Sequence, residues 1–366
     1  MIRRLYIDNY KCFSNFELRL DKLPCSMIIG ANGSGKSTIA EVLSCLSAIG
    51  RGVSDINGIL PKYAKSALKT AQDSGIITLE IEVGDANRVW VYSIGVKPDG
   101  DRYRVMTEKL TCGEVVLLDR SKLMLLDNVV AMAFVADGQQ SVTTIRDCRI
   151  MLASIYVLRP VPQEMSSVVT TKDSYPLRAD ASNFASWLPR IMASDNNAYA
   201  AFRRYLKCVL ADFVNIQLMN TTVEGRVLVV AFNTGTAAPG EVFTIGFDCL
   251  SDGEKCQFVA ASLIALNVHV SNLTVFWDEP DNYITTSEVA YLLPALCNSF
   301  QKRGQLIVSS HSREAIVTFG ENEIISLRRS SHYSPVRQPQ TAQEMRTSGI
   351  LTGALDEAIK NGDVVS

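Results

Sequence analysis

The sequence predicts an α/β protein carrying a β-rich antiparallel lobe and a helical lobe insertion. Three observations lead there. Apolar and polar residues alternate through 76–135. Apolar residues recur at helical spacing through 181–215. From residue 252 onward, helical patterns alternate with short, wholly apolar runs, as the strands of a buried sheet read.

Arg4–Asp8 and Phe16–Leu20 alternate as half-buried strands do, and Ser26–Ile29 is apolar throughout, as a fully buried strand is. Ile39–Ile49 has helical spacing. Residues 51–75, broken by Gly52, Gly58 and Pro61, show no regular pattern. Ile76–Val83, Arg88–Val96, Arg102–Leu110 and Glu114–Leu118 then alternate. Gly84-Asp85, Asp99-Gly100 and Cys112-Gly113 supply turns between them, which makes an antiparallel meander. A helix within 139–160 leads to an apolar strand at Ala153–Leu158. Phe184, Trp187, Leu188 and Ile191 mark one helix, and Tyr199, Phe202, Tyr205, Leu206, Val209 and Leu210 another. Strands return over 216–248, most clearly at Val227–Phe232.

Beyond them come a helix at 253–268, a strand at 273–277, a helix at 286–302, a strand at 305–309 and a further helix and strand to 328. The polar stretch 330–348 reads as loop, and Leu351–Ile359 as a short final helix. The expected divisions are 1–160, 161–250, 251–328 and a tail at 329–366.

Of 366 residues, 47% are apolar and 20% charged, so the chain can bury a core and is not a disordered one. A length near two or three times ~150 residues suits two or three lobes. Lys and Arg (36) nearly balance Asp and Glu (38), which excludes a globally basic nucleic-acid binder but not a local basic groove. No window approaches the ~18 uninterrupted apolar residues of a membrane helix. The N-terminus lacks an apolar signal segment. Nine cysteines without a Cys-x-x-Cys pair, and only three histidines, offer no zinc pattern and read as small buried hydrophobes. Together these features point to the cytoplasm.

GANGSGKST at 30–38 satisfies G-x-x-x-x-G-K-[ST] and lies between an apolar strand and a helix. Glycines let the backbone turn its N–H groups inward, and the helix N-terminus adds partial positive charge. Gly30, Asn32, Gly33, Ser34, Gly35, Lys36, Ser37 and Thr38 thus form a candidate phosphate cradle. Lys36 can reach the β- and γ-phosphates, and the Ser37 hydroxyl can ligate Mg²⁺. Leu273–Trp277 is an apolar run ending in Asp278 and Glu279. An acid at the carboxyl edge of a buried strand stands where open α/β sheets bind ligands. Asp278 can hold Mg²⁺ through a water, and Glu279 can take a proton from an attacking water. A helix cap is the alternative role for this pair. Leu306–Ser310 likewise ends in polar groups, and His311 can contact the γ-phosphate or orient that water. His269 and His332 have no such context.

Four stretches in this order, GANGSGKST, LSDGEK at 250–255, VFWDEPD at 275–281 and SSHS at 309–312, resemble ABC-type P-loop ATPase heads of the SMC, RecF and OLD group. The opening I-x-N-Y-K-C-F at 7–13 is similar to the start of that group. Thr107–Leu110, Leu118–Arg120 and Ala179–Phe184 resemble bacterial OLD-like members more weakly. The resemblance implies ATP and Mg²⁺ as cofactors, Asp278 on the metal, Glu279 as base, His311 as switch histidine and Asp281-Asn282 in the D-loop. It also implies that Ser251 and Gly253 touch the γ-phosphate of ATP held by a second subunit, hence a homodimer or higher oligomer. LSDGE is equally a capping box, Ser followed by Glu three residues on. Leu-His-Pro after the acids is replaced by Tyr283–Thr286, and the glutamine that links metal and lobes in this group has three candidates, Gln139, Gln140 and Gln163. No acidic cluster after residue 312 resembles a nuclease centre.

The expectation is an ATPase that dimerises around ATP and controls DNA binding or a co-encoded effector, in phage defence or DNA repair. A nucleotide-gated scaffold with little turnover is the alternative. Arg203, Arg204, Lys207, Arg328, Arg329 and Arg337 are candidate DNA contacts, or a solvated face.

Overall fold

The computed structural model describes residues 1–61, 75–85, 87–134, 140–170, 175–222, 225–235 and 241–351. Its elements run β1 (Ile2–Asp8), β2 (Phe16–Arg19), β3 (Cys25–Ile29), α1 (Lys36–Gly50) and α2 (Ile56–Ile59). The meander consists of β4 (Ile77–Gly84), β5 (Val89–Asp99), β6 (Arg102–Cys112) and β7 (Val115–Asp119). Next come α3 (Gln140–Ala153), β8 (Ile155–Leu158), β9 (Val168–Val169), α4 (Phe184–Ser194), α5 (Asn196–Val209), β10 (Phe213–Thr221), β11 (Gly225–Asn233) and β12 (Val242–Gly246). The last third holds α6 (Asp252–His269), β13 (Thr274–Asp278), α7 (Thr286–Phe300), β14 (Gln305–Ser309), α8 (Arg313–Ile316), β15 (Ile324–Ser326), β16 (Gln340–Thr341) and α9 (Ala342–Thr347).

The central sheet has the order β16-β15-β3-β14-β13-β8, parallel but for β16. Successive side chains on its strands face opposite ways, so each strand serves two cores. Ile28, Phe276, Ile307 and Ile325 join α1, α3 and the antiparallel sheet β2-β1-β4-β5-β6-β7. Met27, Ile29, Val275, Trp277, Leu306, Val308 and Ile324 join α6, α7 and the insertion. That double burial is why these strands read as unbroken apolar runs rather than as alternating ones.

The insertion sheet, β10-β11-β12 with β9 on β11, is fastened to α6 through aromatic rings. Phe258 of α6 meets Phe202 at 5.9 Å, Phe213 at 5.8 Å and Phe247 at 5.5 Å, all edge to face. Beneath the meander, the buried Glu108 carboxylate accepts the Ala131 and Met132 N–H groups at 2.6 and 2.8 Å and the Tyr92 hydroxyl at 3.0 Å. Glu108 is therefore a structural anchor for the turn at 131–134.

Two expectations are corrected. The stretch 330–348 is not all loop. Thr341 and Glu344 close a capping box that starts α9, with Ala342 and Met345 buried on its inner side. Of the nine cysteines, Cys208 and Cys249 are exposed and Cys112 is intermediate, while the other six are buried. The final helix expected at Leu351–Ile359 lies outside the described residues beyond Leu351. No helix among the described residues is long and apolar enough to cross a membrane.

Candidate functional site

The carboxyl ends of β8, β13, β14 and β3 lie side by side, and each leads into polar residues. Parallel register pairs Asp278 with Ser309, Ser309 with Ile28, and Trp277 with Leu158. Arg159, Asp278-Glu279, Ser309-Ser310-His311 and the loop from Gly30 are thereby brought to one edge.

The loop 30–35 turns into α1 through Gly35, whose φ of 107° lies in the left-handed region. A Cβ there would stand 2.6 Å from the Phe13 ring, so only glycine fits. Gly35 offers no side-chain cap to α1. The first-turn N–H groups of Lys36 and Ser37 have no intrahelical acceptor, as at any helix start, and can bind an anion. Lys36 Nζ donates to Gly30 O at 2.6 Å and to Ala31 O at 3.3 Å, which holds the ammonium over the loop. Burial lowers its pKa, and the Glu279 and Asp278 carboxylates oppose that shift. A cavity of about 440 Å³ is lined by Asn32, Gly33, Gly35 to Thr38, Glu279, Lys11, Cys12 and Arg329.

Across the cavity, Ser37 Oγ donates to Asp278 Oδ2 at 3.0 Å, and the Ser309 hydroxyl donates to Asp278 Oδ1. Glu279 has φ +53°, a conformation unusual outside glycine, and its N–H donates to Ser309 O at 2.9 Å. Its carboxylate accepts from Asn282 Nδ2 at 2.9 Å and lies 3.8 Å from Arg159 Nη2. The His311 pKa is lowered by partial burial and then by the Lys36 ammonium. Burial raises the Asp281 carboxyl, against a Ser310 hydrogen bond. Among the described residues no group of three or more His, Cys, Asp and Glu could hold a metal. A divalent ion at Ser37 and Asp278 would draw its remaining oxygens from phosphate and water, as Mg²⁺ does.

Residues 1–117 match the AAA ATPase domain family. DNA replication and repair proteins RecF from two strains of Rickettsia bellii, OSU 85-389 and RML369-C, are each 46% identical to this chain over 52 residues. That match spans 14% of this chain and 14% of the length of those relatives. A crystal structure of an SMC head bound to the C-terminal winged-helix domain of ScpA aligns over 93% of this chain and 98% of its own, with TM-score 0.59 and 16% identity. The SMC head domain of Thermotoga maritima aligns over 93% and 99%, with TM-score 0.52 and 15% identity. The fold is that of an SMC head domain.

In this SMC-head fold, Ser251 and Gly253 begin α6 and do not line the P-loop cavity. Ser251 Oγ donates to Glu254 Oε2 at 2.7 Å, and Glu254 N–H donates back to Ser251 Oγ at 3.3 Å. The capping box is thus formed, on an exposed serine. Gly253 lies against the segment that follows Asn282: a Cβ there would come 3.3 Å from Tyr283 O. Of the glutamine candidates, Gln139 lies outside the described residues, as does the Gln140 side chain. Gln163 Nε2 donates to Asp252 Oδ2 of α6 rather than toward Ser37 or Asp278.

Three residues gain a place that their sequence neighbourhood did not suggest. Arg329 is not a free surface cation: its Nη1 donates to Gly33 O at 3.3 Å and its Nε to Ser334 O at 2.8 Å, so it braces the P-loop. His332 stands close enough to Gly33 for its Nε2 to lie 3.7 Å from a Cβ there. Arg159 stands beside Glu279 because β8 pairs with β13, a placement with no local sequence signal. Arg203 Nη2 donates to Val214 O at 3.1 Å and its guanidinium lies over the Tyr199 ring, so it is tied to the insertion rather than extended into solvent.

Proposed function

We propose that this head binds MgATP at the P-loop and hydrolyses it in a dimer whose second copy contributes Ser251 and Gly253. The single observation carrying this reading is the convergence of Lys36, Ser37, Asp278, Glu279 and His311 on one sheet edge. The residues present fit the nucleotide. Unpaired N–H groups and a buried ammonium face the phosphate position, and a hydroxyl and a carboxylate 3.0 Å apart are both oxygen donors suited to Mg²⁺. The ion, when bound, would offset negative charge developing on the phosphate oxygens.

Lys36 and the loop N–H groups hold the β- and γ-phosphates. Glu279 accepts a proton from a water as that water's oxygen bonds to the γ-phosphorus and the bond to the bridging oxygen breaks, releasing ADP and phosphate. His311 orients the water or the γ-phosphate. Ser251, exposed at the start of α6, would meet the γ-phosphate across the dimer with the hydroxyl that now closes its own capping box.

ATP binding favours the closed dimer by the contacts the γ-phosphate adds, and hydrolysis removes them. The expected output is control of DNA or of a co-encoded effector, in DNA repair or phage defence. The DNA part draws support from the resemblance to RecF, whose name gives it a part in DNA replication and repair.

The test is sedimentation of the purified protein with ATP and with ADP, alongside phosphate release. ATP-dependent dimers formed by wild type and lost in Ser251→Arg, with nucleotide binding retained, support the reading. Dimerisation indifferent to nucleotide in both proteins would overturn it. ATP-dependent dimers without phosphate release would favour the scaffold.

A further inference from the structure

Arg159 stands at the end of β8, one residue past Leu158, which pairs with Trp277. The same register sets Arg159 level with the acids just after Trp277. Its Nη2 lies 3.8 Å from Glu279 Oε2, an ion pair too long to be a hydrogen bond. The Arg159 side chain is 60% exposed, and its guanidinium makes no hydrogen bond to Glu279, so donors remain open to another anion.

The residues next to Arg159 in the chain connect it to α6. Pro160 and Pro162 stiffen this segment, and the N–H groups of Arg159 and Val161 donate to Ala179 O and Asp180 O at 2.7 and 2.9 Å. Pro162 O accepts from the buried Lys255 Nζ at 3.0 Å, and Gln163 Nε2 donates to Asp252 Oδ2. Residues 159–163 therefore form a short strap. One end touches the candidate catalytic carboxylate, and the other holds the first turn of α6, where Ser251 sits.

We propose that Arg159 is a γ-phosphate-responsive residue, exchanging Glu279 for the γ-phosphate of ATP and carrying that exchange through residues 160–163 to the start of α6. This rests on the function proposed above and goes beyond it, because the residue beside the acids is a cation rather than a linking glutamine. A γ-phosphate carries more negative charge than one carboxylate and accepts a forked pair of N–H bonds, so it outcompetes Glu279 for the guanidinium. Glu279 is then released to serve as base. ADP has no group at that position and leaves the ion pair intact. The two nucleotides thus differ in a contact, which is the requirement for shifting a conformational equilibrium.

The experiment compares wild type, Arg159→Ala and Arg159→Lys. Affinities for MgADP and for a non-hydrolysable MgATP analogue are measured by calorimetry, and amide hydrogen exchange is tracked over 251–257. In wild type the analogue protects these amides more than ADP does. In R159A, ADP affinity stays within about twofold, which also shows the P-loop is folded. Affinity for the analogue falls roughly 10- to 100-fold, the size of one lost charged hydrogen bond, and the extra protection disappears. R159K restores part of the affinity without the full protection, since a lysine cannot fork. Unchanged analogue affinity and protection in R159A would overturn the inference while leaving nucleotide binding in place. Wild type that binds neither nucleotide would instead overturn the proposed function, and this inference with it.

Discussion

Ser37 Oγ donates to Asp278 Oδ2 at 3.0 Å, although 241 residues separate the two. The contact joins the first turn of α1 to the end of β13 and is made possible by β14, which lies between β3 and β13. Ser309, on β14, occupies the other Asp278 oxygen. Asp278 is therefore fixed from two sides and aimed at the P-loop. Asp278→Asn is expected to keep the fold, because an amide can still accept from one hydroxyl. It should weaken Mg²⁺-dependent ATP binding by about tenfold or more, through loss of the anionic ligand, with little effect on binding measured in EDTA. Equal loss with and without Mg²⁺ would contradict a metal role for this carboxylate.

Glu279 is placed differently, with a left-handed backbone and a carboxylate touched by Asn282 and Arg159. A backbone of that kind in a non-glycine residue is maintained only where the surroundings hold it, here through the Glu279 N–H to Ser309 O bond. Glu279→Gln preserves size and the Asn282 contact but cannot accept the water proton. Turnover should fall by about 10²–10⁴, with ATP affinity retained or raised, because the neutral amide no longer competes for Arg159. Phosphate-release kinetics beside equilibrium binding would check this, and full turnover in the variant would exclude Glu279 as base.

His311 gives a pH signature. Partial burial and then the Lys36 ammonium hold its pKa below the ordinary 6.5, while Glu279, Asp281 and Asp278 pull the other way. The unfolded chain then binds this proton more tightly than the folded one. The contribution of His311 to stability accordingly rises with pH through the window below 6.5 and is complete above it. With three histidines in the chain, ring-proton NMR can resolve each. The His311 midpoint should lie below 6.5, move up in Lys36→Met and move down in Glu279→Gln. A wild-type midpoint at or above 6.5 would contradict the arrangement.

Much of this edge was legible because buried strands advertise themselves. Cys25–Ile29, Thr274–Asp278 and Gln305–Ser309 are buried at every position, so the sequence shows apolar runs that stop abruptly at polar residues. The meander was equally plain, since its strands face a core on one side only. Arg159 was not legible. Nothing local distinguishes one arginine before a proline, and only the pairing of β8 with β13 sets it beside Glu279. Arg329 and His332 reach Gly33 across nearly 300 residues and were hidden for the same reason. The start of α9 failed differently: Thr341-x-x-Glu344 is a local capping signal, but polar neighbours concealed a helix that buries only Ala342 and Met345. Ser251 stays double-edged, because the capping box and the proposed phosphate contact use the same hydroxyl.

Away from the site, Glu108 sets a stability test. Its buried carboxylate accepts two backbone N–H groups and a tyrosine hydroxyl, with Arg120 Nη1 3.8 Å away. In Glu108→Gln one of the two N–H groups would face an amide NH₂ instead of an oxygen. A buried donor left without an acceptor costs about 1–3 kcal/mol, so the urea midpoint should drop with an unchanged slope. Burial also raises the Glu108 pKa above the ordinary 4.5, against the pull of its hydrogen-bond donors. The folded chain thus keeps this proton to higher pH than the unfolded chain does. Stability from this group therefore declines as pH climbs from 4.5 through the raised value. The variant should lose that slope, and a stability–pH curve still matching wild type over this window would show that Glu108 does not titrate there.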